Sequence, residues 1–123
     1  HSTHIKSGSI IITDAPTDNQ GKGDAFSPTD LLSTSLVTCA MTILGISAQA
    51  GPAKIISMSA EVNKEMGTNP RRVTEVRASI RIHLKGADKS EADRLERAAR
   101  ACPVAMSLSS ELAQNLEFQF ILQ

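Results

Sequence analysis

The sequence predicts an α+β domain in which one long helix packs against an antiparallel sheet. Three observations predict it. The longest uncharged run, Leu31 to Ala53, sits behind a helix-start signal and holds a Gly51-Pro52 stop near its end. Two stretches, 55–66 and 72–84, alternate apolar and polar residues around the turn residues Gly67-Thr68-Asn69-Pro70. A shorter helical stripe then leads into a last alternating run, 116–122. At 123 residues and 13.1 kDa the chain has material for one core, so a single domain over 1–123 is expected.

Composition narrows the function. The chain is 41% hydrophobic and 21% charged, which argues against disorder. Thirteen Lys and Arg balance thirteen Asp and Glu, leaving no field to hold a polyanion. Three Phe, with no Trp and no Tyr, cannot build a base-stacking surface, so a nucleic-acid partner is not expected. The Leu31–Ala53 run has the length of a membrane span. Ser33, Thr34, Ser35, Thr38, Thr42, Ser47 and Gln49 interrupt it, and no basic cluster flanks it closely, so a buried helix of a soluble protein is expected. Two cysteines are too few for a secreted disulfide scaffold, and their spacing is not that of a metal knuckle.

Along the chain, residues 4–13 are rich in β-branched side chains and predict a strand. Residues 14–27 gather Asp, Pro, Asn and Gly and predict a long loop. Ser27 suits a helix N-cap, Pro28 the first helical position, and Asp30 can reach back to the cap. The helix then runs to about Ala50. Small and apolar residues occur all round it, so it is expected to be buried on most sides, which a second copy of so small a domain would accomplish.

Within the hairpin, Ile56, Met58, Ala60 and Val62 are expected on one face, and Ser57, Ser59, Glu61 and Asn63 on the other. Val76, Ala78, Ile80, Ile82 and Leu84 form the dry face of the next strand, opposite Glu75, Arg77, Ser79, Arg81 and His83. Asp88 or Ser90 caps a second helix with Ala92, Leu95, Ala98 and Cys102 as its apolar stripe. Its charged side carries Asp93–Arg97 and Glu96–Arg100 pairs. Pro103 breaks that helix. A short helix from Pro103 to about Gln114 and a strand over 116–122 complete the chain, with Leu116, Phe118, Phe120 and Leu122 sharing a face.

The candidate chemistry lies in the two cysteines. Cys39, between Thr38 and Ala40 in the long helix, reads from composition as a small packed hydrophobe ahead of a nucleophile. Cys102 stands before Pro103 at a helix start, where free N–H groups lower a thiol pKa. A thiol packed at a helix break is the competing reading. His83 and the terminal His1 and His4 have no metal-ligand spacing, so no metal is expected.

The run Phe26-Ser27-Pro28-Thr29-Asp30-Leu31-Leu32 followed by Cys39, then Asn69-Pro70-Arg71-Arg72, then Cys102-Pro103-Val104, resembles the osmotically inducible protein C family, which includes the organic hydroperoxide resistance proteins. The resemblance runs from about residue 8 to the C-terminus. It implies an α+β fold in an intertwined homodimer with long central helices. It implies a thiol peroxidase in which Cys39 attacks a hydroperoxide and becomes a sulfenic acid. Cys102 then condenses with it to a disulfide, and a dithiol of lipoyl or thioredoxin type reduces the pair. No cofactor is implied. The family's activating carboxylate falls at Thr29 here, leaving Asp30 as the substitute. No arginine precedes Arg71, so the family's arginine is expected either in a strand before His1 or from Arg71, Arg72 or Lys22, with the partner chain as one source. Asp30 and Arg71 are the charge-orienting candidates. The apolar neighbours Leu36, Met41 and Ile43 motivate organic hydroperoxides as substrates. A reducible cysteine pair without an export signal points to the cytoplasm. A non-catalytic module binding a small apolar ligand, and a redox sensor, are the alternatives on the same fold.

Overall fold

The helix-start signal at Ser27 is realised as a reciprocal cap. Ser27 N–H donates to Asp30 Oδ2 at 2.9 Å, and Asp30 N–H donates to Ser27 Oγ at 3.1 Å. Pro28 takes the first helical position, where its missing N–H costs no bond. From this cap helix α1 runs over Pro28–Gln49 in the computed structural model, which describes residues 1–123. The chain divides into two compact units, His1–Leu32 and Ser33–Gln123.

In the N-terminal unit the strand expected over 4–13 is replaced by a small hairpin. Strands β1 (Ser2–Thr3) and β2 (Ile10–Ile11) pair antiparallel. Between them the chain turns back, with Gly8 N–H donating to His4 O at 2.7 Å and His4 Nδ1 2.6 Å from Ser7 Oγ. Gly8 takes φ +77°, open to glycine at little cost. The reason is local. Ser7, Gly8 and Ser9 offer turn hydrogen bonds that compete with extended chain, and the β-branched run beyond them is short. The 14–27 loop holds one 3-10 turn, Thr17–Asn19, and is closed by a Thr13–Phe26 bridge and by Asp14 N–H donating to Phe26 O at 3.1 Å.

The C-terminal unit carries strands β3 (Lys54–Gly67) and β4 (Arg72–Lys85), helices α2 (Lys89–Arg100) and α3 (Pro103–Ser107), and strand β5 (Ala113–Leu122). The sheet order is β3-β4-β5. β3 and β4 form the expected antiparallel hairpin, but β5 lies parallel to β4, so the sheet is mixed rather than wholly antiparallel. A parallel neighbour needs a long crossover, and α2 with α3 supplies it. α3 ends at Ser107, well short of Gln114. Ser109 takes over the chain, its Oγ accepting from Glu111 N–H at 3.1 Å and its O from Leu112 N–H at 3.0 Å. That releases Ala113 onward to β5.

The dry face of β4 is as alternation predicts: Val76, Ile80, Ile82 and Leu84 are fully buried. They join one core with Leu36, Val37, Ala40 and Leu44 of α1 and with Leu95 and Ala99 of α2. Position 99, not 98, completes the α2 stripe. On β3 the expected alternation fails at one residue. The register shifts between Ile55 and Ser57, so Ile55 pairs with Leu84 and Met58 with Ile82, while Ile56 stays 53% exposed. A bulge adds one residue to a strand and flips everything before it to the other face.

α2 is capped by Asp88, whose Oδ1 accepts from Glu91 N–H at 2.9 Å. Glu96 pairs with Arg100 as expected, but Asp93 is taken by Lys89 instead of Arg97. Arg94 Nη2 reaches Ser47 O at 2.9 Å while Glu91 holds the same guanidinium, which fastens α2 to the last turn of α1. A side chain at Gly51 would run into both groups of that pair.

The bulge makes a prediction about two isoleucines. Ile82→Ala should cost about 2–5 kcal/mol in urea unfolding, as a large deletion in a closed core. Ile56→Ala should cost less than about 0.5 kcal/mol. Equal losses would mean that the alternation runs through Ile56 unbroken.

Candidate active site

Cys39 lies half-buried in the middle of α1, and Cys102 is the N-cap of α3 with only 1% of its surface exposed. Pro103 forces the extended backbone at Cys102 (φ −64°, ψ 154°) and so turns its side chain out of the α2 axis. The Cys102 thiol then meets α1. Its Sγ–H points to Leu36 O at 4.0 Å, a sulfur-range contact one helical turn before Cys39. Cys39 is the one side chain whose presence bears on the Cys102 thiol, so the two are neighbours. Two cysteines from distant parts of the sequence therefore share one place between α1 and the head of α3, both as free thiols.

The electrostatics reverse one sequence expectation. Burial pushes the Cys102 thiol pKa up, and the Cys39 hydrogen bond and charge push the same way. The N–H groups of Ala105 and Val104 pull it down but do not prevail. A helix start lowers a thiol pKa when the helix is long and the thiol is wet. α3 has 5 residues and Cys102 is sealed in the core. Cys102 is thus held as a protonated donor, and the better-thiolate role expected of it from its position is not realised.

Several contacts hold this thiol in place. Arg100, two residues before it, donates through Nη2 to Leu116 O at 3.0 Å and through Nε to Glu96 Oε2 at 3.0 Å. Its guanidinium lies 4.8 Å above the centre of the Phe118 ring. On the other side Gln114 Nε2 donates to Ala105 O at 3.0 Å. Both flanks of Cys102 are therefore tied to β5. The sequence reading missed these roles. Arg100 reads there only as a surface partner of Glu96, and Gln114 as the end of a helix. The available signal was the aromatic face of 116–122, which gives a planar cation something to stack on.

The remaining candidates have contacts of their own. The Asp30 carboxylate, in the N-terminal unit, serves the α1 cap. Arg71 is exposed in the turn between β3 and β4 and is not among the groups that act on Cys102. His83 stands half-buried on β4, opposite Ser57. Of the apolar residues expected near Cys39, Leu36 is buried and Met41 and Ile43 pack partly buried against the core. A separate, largely apolar cavity of about 630 Å³ lies between the second half of α1 and the start of β3. Gly45, Ala48, Ala53, Ile55 and Met58 line it, and neither cysteine does.

The fold and the paired thiols define a class: an α+β protein whose long core helix carries one cysteine against a second at a helix start. Residues 21–117 match the family described as OsmC-like protein, and the chain belongs to that family. A solved structure from Psychrobacter arcticus 273-4, provisionally named an osmotic stress induced and detoxification response protein, is similar. It is 45% identical over 95% of this chain and 85% of its own, with a TM-score of 0.85. An OsmC like protein from Mycoplasma pneumoniae shares the fold at 19% identity and a TM-score of 0.69, over 87% of this chain and 78% of its own. The organic hydroperoxide resistance protein OhrB of Bacillus subtilis shares it at 17% identity and a TM-score of 0.55, over 77% and 71%. A comparison with curated proteins returns no match.

The raised Cys102 pKa has a consequence for stability. Below the ordinary thiol range, folded and unfolded chains both hold the proton, and the preference for the buried thiol is in full force. As pH rises through that range the unfolded chain ionises first, and stability falls until the folded thiol ionises too. Urea midpoints of the wild type should therefore decline more steeply from neutral to alkaline pH than those of Cys102→Ser. Parallel declines would contradict the upward shift.

Proposed function

We propose that this protein is a cysteine-based thiol peroxidase that reduces organic hydroperoxides in oxidative stress defence. The observation that carries the reading is that the Cys102 thiol, at the head of α3, meets α1 at Leu36, one turn before Cys39. Family membership supports it, as does the hydroperoxide resistance named for OhrB, which has the same fold.

Cys39 is the attacking thiol in this reading, because it is the more exposed of the two and Cys102 is held protonated. Its thiolate attacks the outer oxygen of the hydroperoxide. An S–O bond forms, the O–O bond breaks, and the alkoxide leaves with a proton as the alcohol. Cys39 is then a sulfenic acid. Cys102 Sγ attacks the Cys39 sulfur, and the sulfenic hydroxyl leaves as water with the Cys102 proton. A dithiol of lipoyl or thioredoxin type restores both thiols. The sulfur carries the redox chemistry, so the reading calls for no heme, flavin or metal. Asp30 and Arg71 stay in the proposal as charge-orienting substitutes for the family's carboxylate and arginine.

The same reading takes the protein as a cytoplasmic homodimer. Supporting the dimer, α1 buries Leu36, Val37, Ala40, Leu44 and Ala48 on one face yet leaves Ile46 59% exposed on another. By length and composition α1 is also apolar enough to cross a membrane, but its buried face is occupied by the core. One observation favours a second reading, a non-catalytic binding module. The apolar cavity has the volume of a small-ligand site and lies apart from the cysteines.

A thiol count after one equivalent of cumene hydroperoxide separates the two. The wild type should lose both thiols quickly. Cys102→Ser should accumulate a trappable sulfenic acid, and Cys39→Ser should be inert. Two unreacted thiols in the wild type after minutes would discard the peroxidase and leave the binding module.

A further inference from the structure

The two sulfurs of the pair are unequally reachable. Cys102 is 1% exposed, belongs to the hydrophobic core and is walled in by Leu36 of α1 and by Val104 and Ala105 of its own helix. Cys39 is half-buried, on a helix whose neighbouring positions Thr38 and Thr42 are exposed. Disulfide exchange needs the attacking sulfur to approach along the line of the S–S bond, from outside the sulfur that it strikes. Of the two sulfurs of a Cys39–Cys102 disulfide, Cys39 has exposed positions beside it and Cys102 is sealed in the core. The ties of Arg100 to Leu116 and of Gln114 to Ala105 hold the closed side shut, because they fix both flanks of Cys102 to β5.

We propose that the reductant strikes the sulfur of Cys39, so that the mixed disulfide forms on Cys39 and Cys102 is always the leaving thiolate. This inference rests on the peroxidase reading and adds the direction of its last step. One thiolate of the dithiol forms an S–S bond with Cys39 Sγ. The Cys39–Cys102 bond breaks, and its electron pair stays on Cys102, which takes up a proton inside the core. The second thiol of the reductant then attacks the reductant's own sulfur in the mixed disulfide. That closes the reductant's disulfide and frees Cys39 as a thiolate. The dithiol loses two electrons and the protein gains two. The thiol that leaves the reaction ready for peroxide is the accessible one, and Cys102 never meets the reductant.

Two measurements test the direction. In the first, the full-length wild type is oxidised with cumene hydroperoxide, treated briefly with the monothiol glutathione, quenched in acid and alkylated with N-ethylmaleimide. Peptide mapping should find glutathione on Cys39 and maleimide on Cys102, at roughly tenfold or greater excess over the reverse. Glutathione on Cys102, or an even split, would overturn the inference while leaving the peroxidase intact. Failure to form any disulfide with peroxide would instead remove the peroxidase reading, and this inference with it. The second needs no peroxide. Dithionitrobenzoate should label folded Cys102→Ser at least about tenfold faster than folded Cys39→Ser, and guanidinium should abolish the difference. Equal labelling of the two folded variants would overturn the inference.

Discussion

The rest of the C-terminal unit depends on the burial of one face of α1 against β4. Leu36, Val37, Ala40 and Leu44 meet Val76, Ile80, Ile82 and Leu84, all of them at most 1% exposed. Close-packed apolar surface of this kind has no slack, so whatever rests on it is placed to within a small distance. Cys39 is carried on that helix, and the Cys102 thiol is aimed at its Leu36 carbonyl. The pairing of the thiols is thus a by-product of core packing and does not need a dedicated loop.

The head of α3 shows how position and burial compete for one group. Pro103 ends α2 and starts α3, which puts Cys102 beside free amides that favour a thiolate. The same break pushes the side chain into the core, where charge is costly. Burial prevails, and the resulting division of labour is chemically sensible. The thiol held protonated is the sheltered one, and the other, Cys39, keeps more of its surface exposed. On the proposed peroxidase reading, a resolving thiol kept neutral until a sulfenic acid appears beside it would also be shielded from oxidation on its own account.

Much of this was legible in the sequence, and the failures have physical causes. The α1 start and stop, the dry face of β4 and the break at Pro103 rest on strong local signals: a reciprocal cap, strict alternation and a missing N–H. The bulge at Ile56, the parallel pairing of β5 and the hairpin at Gly8 are set by pairing partners or by competing turn bonds, which a pattern of single residues does not carry. Both cysteines stand out in the sequence as candidates, yet the lowered pKa expected of Cys102 is not realised, because burial is a property of the packed chain. The anchoring by Gln114 was invisible for the same reason, and that by Arg100 had only the aromatic face of 116–122 as a signal. Each donates to a backbone carbonyl on another element.

The central proposal is that Cys39 and Cys102, neighbours in the folded chain, can bond without rearrangement. The direct measurement is treatment of the dilute native protein with one equivalent of diamide, followed by intact mass and peptide mapping, with circular dichroism recorded throughout. The account predicts a single Cys39–Cys102 bridge within one chain, a mass lower by two hydrogens, and an unchanged spectrum. Two persistent thiols, bridges between chains, or a bridge that forms only as the spectrum collapses would contradict it.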